Sequence, residues 1–314
     1  MVKAIDSVLN QGFIDHEIIV VDDGSTDNTW DALQHYAGKF RYIHQENSGV
    51  SCARNAGIRA AQGDWVAFLD SDDEWEKDYL SVQMEHAGTH PSAVAHATNV
   101  RKVQMDGKTS DHFAESKFVH EFAERDVIMV ERPLSVILNH QLWWLQSCII
   151  RRDILTQAGL FDTRLSIGED LDLLARVALR GAFTFCSGTY VRLFRRVETL
   201  KSLADQGLDN GAAYYQSLGG IYDQLSSSEE ITAAERRTID RLASCNWREQ
   251  GNLLLITGLG PEARNCYTKS FMRCPCPRSA IKMLAGFLPG VMARSLITKR
   301  FRVLRDSVGG SRGR

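Results

Sequence analysis

A run of five apolar residues that ends in a cluster of acids constrains the fold of this 314-residue chain more than any other feature. The run extends from Trp65 to Leu69, and Asp70, Asp72 and Asp73 follow it. Five apolar residues without a polar interruption predict a strand that is covered on both faces, as in the middle of a parallel sheet. Ligands of open α/β sheets bind beyond the carboxyl ends of the strands, so these acids are candidates for a binding site.

The three acids have two interpretations. Closely spaced carboxylates repel one another, and a hard divalent cation such as Mg²⁺ or Mn²⁺ would relieve this repulsion and bridge to phosphate oxygens. Alternatively, the acids form an ordinary turn in which Asp73 caps a helix that begins near Glu76. Because a cap needs only one carboxylate, both interpretations stay open at this point.

A second buried strand is predicted at residues 17–21, and it ends in Asp22 and Asp23. Gly24 can adopt a positive φ, and any of the residues 25–27 can cap the helix that follows. Capping does not account for Asp22 and Asp23, which come before the turn. Their carboxylates could accept hydrogen bonds from a nucleobase or from a ribose hydroxyl.

A third strand is predicted at residues 40–44, followed by a turn and a helix that contains Arg54. Arg54 lies about one turn into this helix, where a cation opposes the helix dipole unless it faces an anion. A diphosphate contact and a surface salt bridge explain this placement equally well. The order of strands and helices up to residue 69 implies right-handed crossovers and a mostly parallel sheet.

A second cluster of acids opens a helix later in the chain. Leu171, Leu174 and Ala178 follow the spacing of a core-facing helical stripe, so Glu169 and Asp170 fall in the first turn. The helix dipole alone favours acids at this position. The alternative is a catalytic role for one of the two carboxylates.

Four motifs resemble, in their order, those of the family 2 glycosyltransferases of GT-A fold. Each motif is short, but their order over about seventy residues makes the combination specific. The resemblance implies an α/β fold, with a Rossmann-like, mostly parallel sheet flanked by helices and followed by an appended α-helical region. The four segments are residues 4–11, 20–27, 47–57 and 68–73.

The resemblance also implies roles for the candidate residues. Residues 195–202 resemble the basic loop of the family near the diphosphate, although Val197 stands where a histidine is common. The implied roles are nucleobase binding by Asp23 with Asp22, ribose and diphosphate binding by Asp70 and Asp72, metal binding by Asp72 and Asp73, and removal of the acceptor proton by Asp170 or, alternatively, Glu169.

These assignments predict a metal-dependent, inverting glycosyltransferase that uses Mn²⁺ or Mg²⁺. It would transfer a sugar from a nucleotide diphosphate sugar, with a UDP-sugar favoured, to a glycan or lipid-linked acceptor in cell-surface polysaccharide biosynthesis. Arg54 and the metal would stabilise the charge on the departing diphosphate. One alternative is a catalytically silent nucleotide-sugar-binding or scaffold protein. Another is a haloacid-type phosphatase, which Glu74 disfavours because that chemistry expects a small hydroxyl or β-branched residue there.

Three regions are expected: a glycosyltransferase domain at residues 1–203, a helical region at 204–277 and a basic amphipathic tail at 278–314. One helical pair of the middle region resembles a tetratricopeptide unit, although one copy establishes no array. The tail holds nine cations and one acid among apolar residues. Docking on the catalytic domain and contact with an anionic membrane surface explain the tail equally well.

Composition and the start of the chain add three expectations. A net charge of −2 gives no general attraction to nucleic acid. Seven scattered cysteines favour a reducing, cytoplasmic compartment. If the basic tail binds a membrane, it would bind the inner face. In the resembled family a strand precedes the helix that begins here near Lys3. We therefore expect the sequence to start inside a longer reading frame and to lack this first strand.

Overall fold

The computed structural model describes residues 1–116, 125–140, 144–195 and 208–285. The chain divides into two compact units, Met1–Leu200 and Lys201–Arg314. The predicted basic loop after Arg195 and the predicted tail after residue 285 lie outside the described residues. The region boundaries expected at residues 203 and 277 stay predictions.

The first unit is built from strands and helices in alternation. Its described strands are β1 (Ile19–Asp23), β2 (Arg41–Gln45), β3 (Trp65–Ala67), β4 (Glu74–Trp75), β5 (Ala93–Gln104), β6 (Thr109–Asp111), β7 (Val127–Val130), β8 (Cys148–Arg151) and β9 (Ala182–Arg195). Its described helices are α1 (Val2–Leu9), α2 (Thr29–Leu33), α3 (Val50–Ala60), α4 (Tyr79–Thr89), α5 (Leu134–His140), α6 (Arg152–Gln157) and α7 (Glu169–Ala178).

The described strands form two sheets. β1 and β2 pair in parallel, and α2 lies between them in the chain, so a helical crossover joins them. The second sheet follows the path β3-β8-β5-β9-β4, with β6 beside β5 and β7 beside β9. Within it β5 and β9 run parallel, whereas the other described pairs are antiparallel. The sheet is therefore mixed and not mostly parallel, because β8 returns between β3 and β5 in the opposite direction.

The strand before the acids is shorter and less central than predicted. β3 ends at Ala67, and β8 is its partner among the described strands. Trp65, Ala67 and Leu69 pack against the core of the large sheet, while Phe68 contacts the Phe161 ring edge-on at 5.6 Å. The apolar run is thus mostly half-buried, with Phe68 buried, at the edge of the sheet.

The segment after the acids also differs from the prediction. Glu74 and Trp75 form β4, which pairs with β9, and α4 begins only after Asp78. No helix begins near Glu76, so the interpretation of Asp73 as the cap of such a helix is wrong.

α3 is fixed to the segment that precedes α7. Gly49 before its first turn has a φ of 88°, a conformation that glycine adopts without strain. The buried Asn55 side chain donates to the Phe161 carbonyl oxygen and accepts from the Phe161 amide, both at 2.9 Å. These two bonds hold Arg54 of α3 close to the start of α7.

The second unit is helical in its described part. α9 begins with a capping box between Thr232 and Glu235. Leu255, Ala263 and Tyr267 form a small core, and Met283 packs against it. In the described ranges we find no helix with the length and hydrophobicity that a membrane span needs. The helices are α8 (Leu208–Ser227), α9 (Ala233–Ile256), α10 (Gly260–Arg273) and α11 (Pro277–Ala285).

Candidate active site

Arg54 brings together two acidic clusters that are far apart in the sequence. Its Nη2 donates to Asp70 Oδ1 at 3.0 Å, and its Nη1 donates to Asp170 Oδ1 at 2.6 Å. The same Nη1 lies 3.3 Å from Glu169 Oε1. Only 11% of the Arg54 side chain is exposed, and its guanidinium carbon lies 5.4 Å from the centre of the Phe161 ring. One enclosed cation therefore joins both predicted acidic motifs.

Asp170 has the electrostatic properties of a general base that works near neutral pH. Burial of its carboxyl raises the pKa to about 7, and the positive charge of Arg54 opposes this rise. The negative charges of Glu169 and Asp70 raise the pKa further. A base is most effective when its pKa lies near the working pH, so Asp170 is suited to accept a proton there.

Asp70 is held on its other side by Gln146. The side-chain amide of Gln146 donates to Asp70 Oδ2. Trp75 Nε1 donates to the main-chain carbonyl oxygen of Gln146 at 2.9 Å. The Gln146 side chain is buried, and its Oε1 has no hydrogen-bond partner among the described residues. Sequence reasoning missed this residue. No local pattern marks it, since Gln146 and Ser147 are simply two polar residues after the apolar residues 142–145.

Asp72 and Asp73 differ in their surroundings. Asp72 is exposed, whereas Asp73 is buried and accepts from the Phe194 amide at 3.0 Å. Within the described ranges no three His, Cys, Asp or Glu side chains are grouped as a metal site. The carboxylates of Asp70 and Asp72 fit a hard cation in type, and a diphosphate could supply further oxygens. Asp73 accepts from Phe194 at Oδ1, and Asp70 accepts from Arg54 and Gln146 at its two oxygens, so a cation would have to share or replace these bonds.

Asp22 is built into the structure at the end of β1. Tyr42 OH donates to its Oδ2, and the Ser25 amide donates to its Oδ1 at 2.8 Å. Burial alone would raise the pKa of Asp22, but these hydrogen bonds lower it to about 2. Its carboxylate is therefore ionised at neutral pH and shapes the turn after β1.

Asp23 connects the end of β1 to the turn before α3. Its Oδ1 accepts from Gln45 Nε2 at 2.7 Å and from the Ser48 amide at 2.9 Å. Its Oδ2 accepts from the Gly49 amide at 2.8 Å. Burial raises the pKa of Asp23, but these hydrogen bonds outweigh burial and lower it. A nucleobase that binds Asp23 would have to share or replace these bonds.

The fold of the chain is that of the GT-A glycosyltransferases, so the predicted GT-A fold class is confirmed, with a mixed sheet in place of a mostly parallel one. The crystal structure of S. aureus TarS 1-349 in complex with UDP matches it with a TM-score of 0.64 at 19% identity, over 99% of this chain and 88% of that chain. Mannosyltransferase PcManGT from Pyrobaculum calidifontis, in complex with GDP-Man and Mn²⁺, gives a TM-score of 0.54 at 16% identity. The match covers 98% of this chain and 82% of that chain. At these identities the likeness shows the fold alone.

The sequence model of glycosyl transferase family 2 matches residues 1–144 of this chain. The predicted resemblance is confirmed. The putative teichuronic acid biosynthesis glycosyltransferase TuaG of Bacillus subtilis is 42% identical over 120 residues, which are 37% of this chain and 45% of TuaG. Succinoglycan biosynthesis protein ExoO of Rhizobium meliloti is 34% identical over 177 residues, 56% of this chain and 51% of ExoO. The chain thus spans about half of each relative.

Proposed function

We propose that this chain is a metal-dependent, inverting glycosyltransferase. It transfers a sugar from a nucleotide diphosphate sugar, with a UDP-sugar as the favoured donor, to a hydroxyl of a glycan or lipid-linked acceptor. The observation that carries the proposal is the contact of Arg54 with both Asp70 and Asp170, because it joins the donor motif to the candidate base. The ligands named for TarS 1-349 and PcManGT support a nucleotide donor.

The chemistry of the proposal follows from the carboxylate of Asp170. Asp170 takes the proton of the acceptor hydroxyl while the acceptor oxygen bonds to the anomeric carbon. The bond from that carbon to the diphosphate oxygen breaks, and the diphosphate leaves with the electron pair. Attack from the face opposite the leaving group inverts the anomeric centre. Asp72 and Asp73 would hold Mn²⁺ or Mg²⁺, which would supply charge stabilisation for the diphosphate when bound.

The setting of the proposal is cell-surface polysaccharide biosynthesis in the cytoplasm. The names of TuaG and ExoO, which refer to teichuronic acid and succinoglycan biosynthesis, support this setting. The tail at residues 278–314 attaches the enzyme to the inner face of the membrane. Two apolar side chains of α11 support this attachment, since Ile281 and Leu284 are each 63% exposed.

Replacement of the base tests the proposed function. A nucleotide sugar that raises the melting temperature of the protein identifies the donor, because a ligand that binds only the folded state stabilises it. With that donor and Mn²⁺, Asp170→Asn should lower turnover by roughly two to four orders of magnitude, the usual effect of a positioned base. Donor affinity should not change.

Two matched variants complete the test. Asp153→Asn removes an exposed acid from the first turn of α6 and should leave turnover unchanged. If Glu169→Gln abolishes turnover in place of Asp170→Asn, the two acids exchange roles. Full turnover in both Asp170→Asn and Glu169→Gln would show that the two acids only begin the helix and take no part in catalysis. A wild-type protein that binds the donor without turning it over would be the silent binding protein.

A further inference from the structure

We propose that Arg54 is a positioning residue for the base Asp170 and does not bind the departing diphosphate. This inference rests on the proposed function, and it replaces the diphosphate role that the sequence suggested. Arg54 would act through Asp170, by fixing the direction of its carboxylate and by placing a positive charge beside it.

The first argument is the orientation of the Asp170 carboxylate. Arg54 Nη1 holds Oδ1 at 2.6 Å, and no described residue forms a hydrogen bond with Oδ2. Asp170 keeps 26% of its side-chain surface exposed, whereas Arg54 keeps 11%. Oδ2 is therefore the oxygen of Asp170 that is left for an acceptor hydroxyl.

The second argument is the charge around the guanidinium. Three carboxylates lie within 3.3 Å of the Arg54 nitrogens, those of Asp70, Glu169 and Asp170. Negative groups thus outnumber the single positive charge at this point. A diphosphate would meet net repulsion here, and it would have to displace existing ion pairs in a site of low solvent exposure.

Hydrogen bonds on both sides hold the Arg54 guanidinium in place. Its Nη2 bonds to Asp70, which is fixed in turn by Gln146. The helix that carries Arg54 is tied to the segment before α7 by the two hydrogen bonds between Asn55 and Phe161. A group that is held from both sides in this way can orient a base.

The titration of Asp170 distinguishes this role from a merely structural one. The ionisable groups around it are Arg54 on α3, Glu169 on α7, Asp70 after β3 and the Cys148 thiol on β8. Burial raises the pKa of Cys148 to about 12, so this thiol is neutral at working pH. Burial raises the pKa of Asp170, and Arg54 supplies the main opposing effect. Loss of the Arg54 charge must therefore raise the pKa of Asp170.

The experiment compares pH profiles and donor affinity for Arg54→Gln, Arg54→Lys and Arg59→Gln. The base is active when deprotonated, so Arg54→Gln should move the acid limb of kcat/KM to higher pH, by about one unit, and lower the rate below that limb roughly tenfold. Arg54→Lys keeps the charge but not the planar fork, so it should lower kcat without moving the limb. Arg59→Gln removes an exposed arginine of the same helix and should change neither.

UDP affinity in the presence of Mn²⁺ decides between the two roles of Arg54. The inference expects affinity within about twofold of wild type in all three variants, since a twofold change is below 0.5 kcal/mol. A loss of tenfold or more in Arg54→Gln with an unmoved acid limb would assign Arg54 to the diphosphate and overturn the inference. If Arg54→Gln does not fold, UDP affinity in Arg54→Lys decides: the inference expects a lower kcat with affinity within about twofold of wild type, and a loss of tenfold or more would overturn it.

A second measurement separates this inference from the proposed function. The carboxyl carbon of Asp170 can be titrated by ¹³C NMR, with Asp170→Asn to assign its signal. If no nucleotide sugar is turned over by the wild type, the proposed function fails. The titration still tests the effect of Arg54: an unchanged pKa of Asp170 in Arg54→Gln would overturn the inference.

Discussion

At the scale of single residues, Asp72 and Asp73 are adjacent in the chain but differ in exposure and in hydrogen bonding. Asp72 is exposed, so Asp72→Asn should abolish Mn²⁺-dependent turnover without a change in melting temperature. Asp73 is buried and accepts a hydrogen bond from the Phe194 amide. Asp73→Ala should therefore destabilise the fold by about 1.5–3 kcal/mol, the usual value of a hydrogen bond to a charged group. The measurements are initial rates against Mn²⁺ concentration and thermal unfolding.

Asp78→Asn is the control for this pair, because Asp78 is exposed and its side chain makes no capping bond at the start of α4. It should alter neither turnover nor stability. Turnover in Asp72→Asn equal to wild type would remove Asp72 from the metal site.

The sequence predicted some of the site residues but not the contacts between them. Asp70 and Asp170 were predicted because each follows a strong local pattern, an apolar strand or the first turn of a helix. Their shared partner was not predicted, because Arg54 and Asp170 are 116 positions apart and only the folded chain brings them together. Gln146 lacked a local pattern altogether.

At the scale of elements, α9 and α10 approach too closely for a side chain at one position. A Cβ atom at Gly251 would lie 2.6 Å from the Tyr267 ring, which belongs to the small core of the second unit. Gly251→Ala should therefore destabilise this unit by about 1–3 kcal/mol, the usual cost of overpacking. Chemical denaturation monitored by circular dichroism measures the effect.

Gly220 in α8 is the matched control for Gly251. A Cβ atom at Gly220 would meet no heavy atom within 4 Å. Gly220→Ala should therefore stabilise the helix by about 0.5–1 kcal/mol, since alanine loses less backbone entropy than glycine. Equal effects of the two substitutions would show that α9 and α10 have room to separate.

Element types were more predictable than element partners. The strands near residues 19 and 41 and the helices around Arg54 and Asp170 follow from local periodicity, and the structure has them within a few residues. The pairing of β3 with β8 depends on a segment far along the chain, which no local pattern indicates. β4 has only two residues and β7 lies in a segment without clear periodicity, so neither strand was predicted.

At the scale of the whole molecule, charge is distributed unevenly along the chain. The chain has a net charge of −2, and the tail at residues 278–314 carries nine cations and one acid, so residues 1–277 carry −10. The negative charge of residues 1–277 opposes binding to an anionic bilayer, so we expect attachment to such a bilayer to come through the tail. Each basic residue near such a surface contributes about 1 kcal/mol.

Removal of residues 286–314 tests this attachment and leaves Met283 of α11 on the core of the second unit. The shortened protein should no longer sediment with anionic vesicles at low salt, while donor binding stays unchanged. Vesicles of zwitterionic lipid are the control and should bind neither form. Equal sedimentation of both forms with anionic vesicles would favour docking of the tail on the protein.

The arrangement around Arg54 also limits how this sequence can vary. Replacing Arg54 alone leaves the carboxylates of Asp70, Glu169 and Asp170 facing one another without a cation, and replacing Asp170 alone removes the partner at 2.6 Å. Each single step is costly, so intermediates with one of these residues changed should be short-lived in evolution. Descendants that lose activity should lose the arginine and its acids together, and a chain that keeps Arg54 should still have a working base.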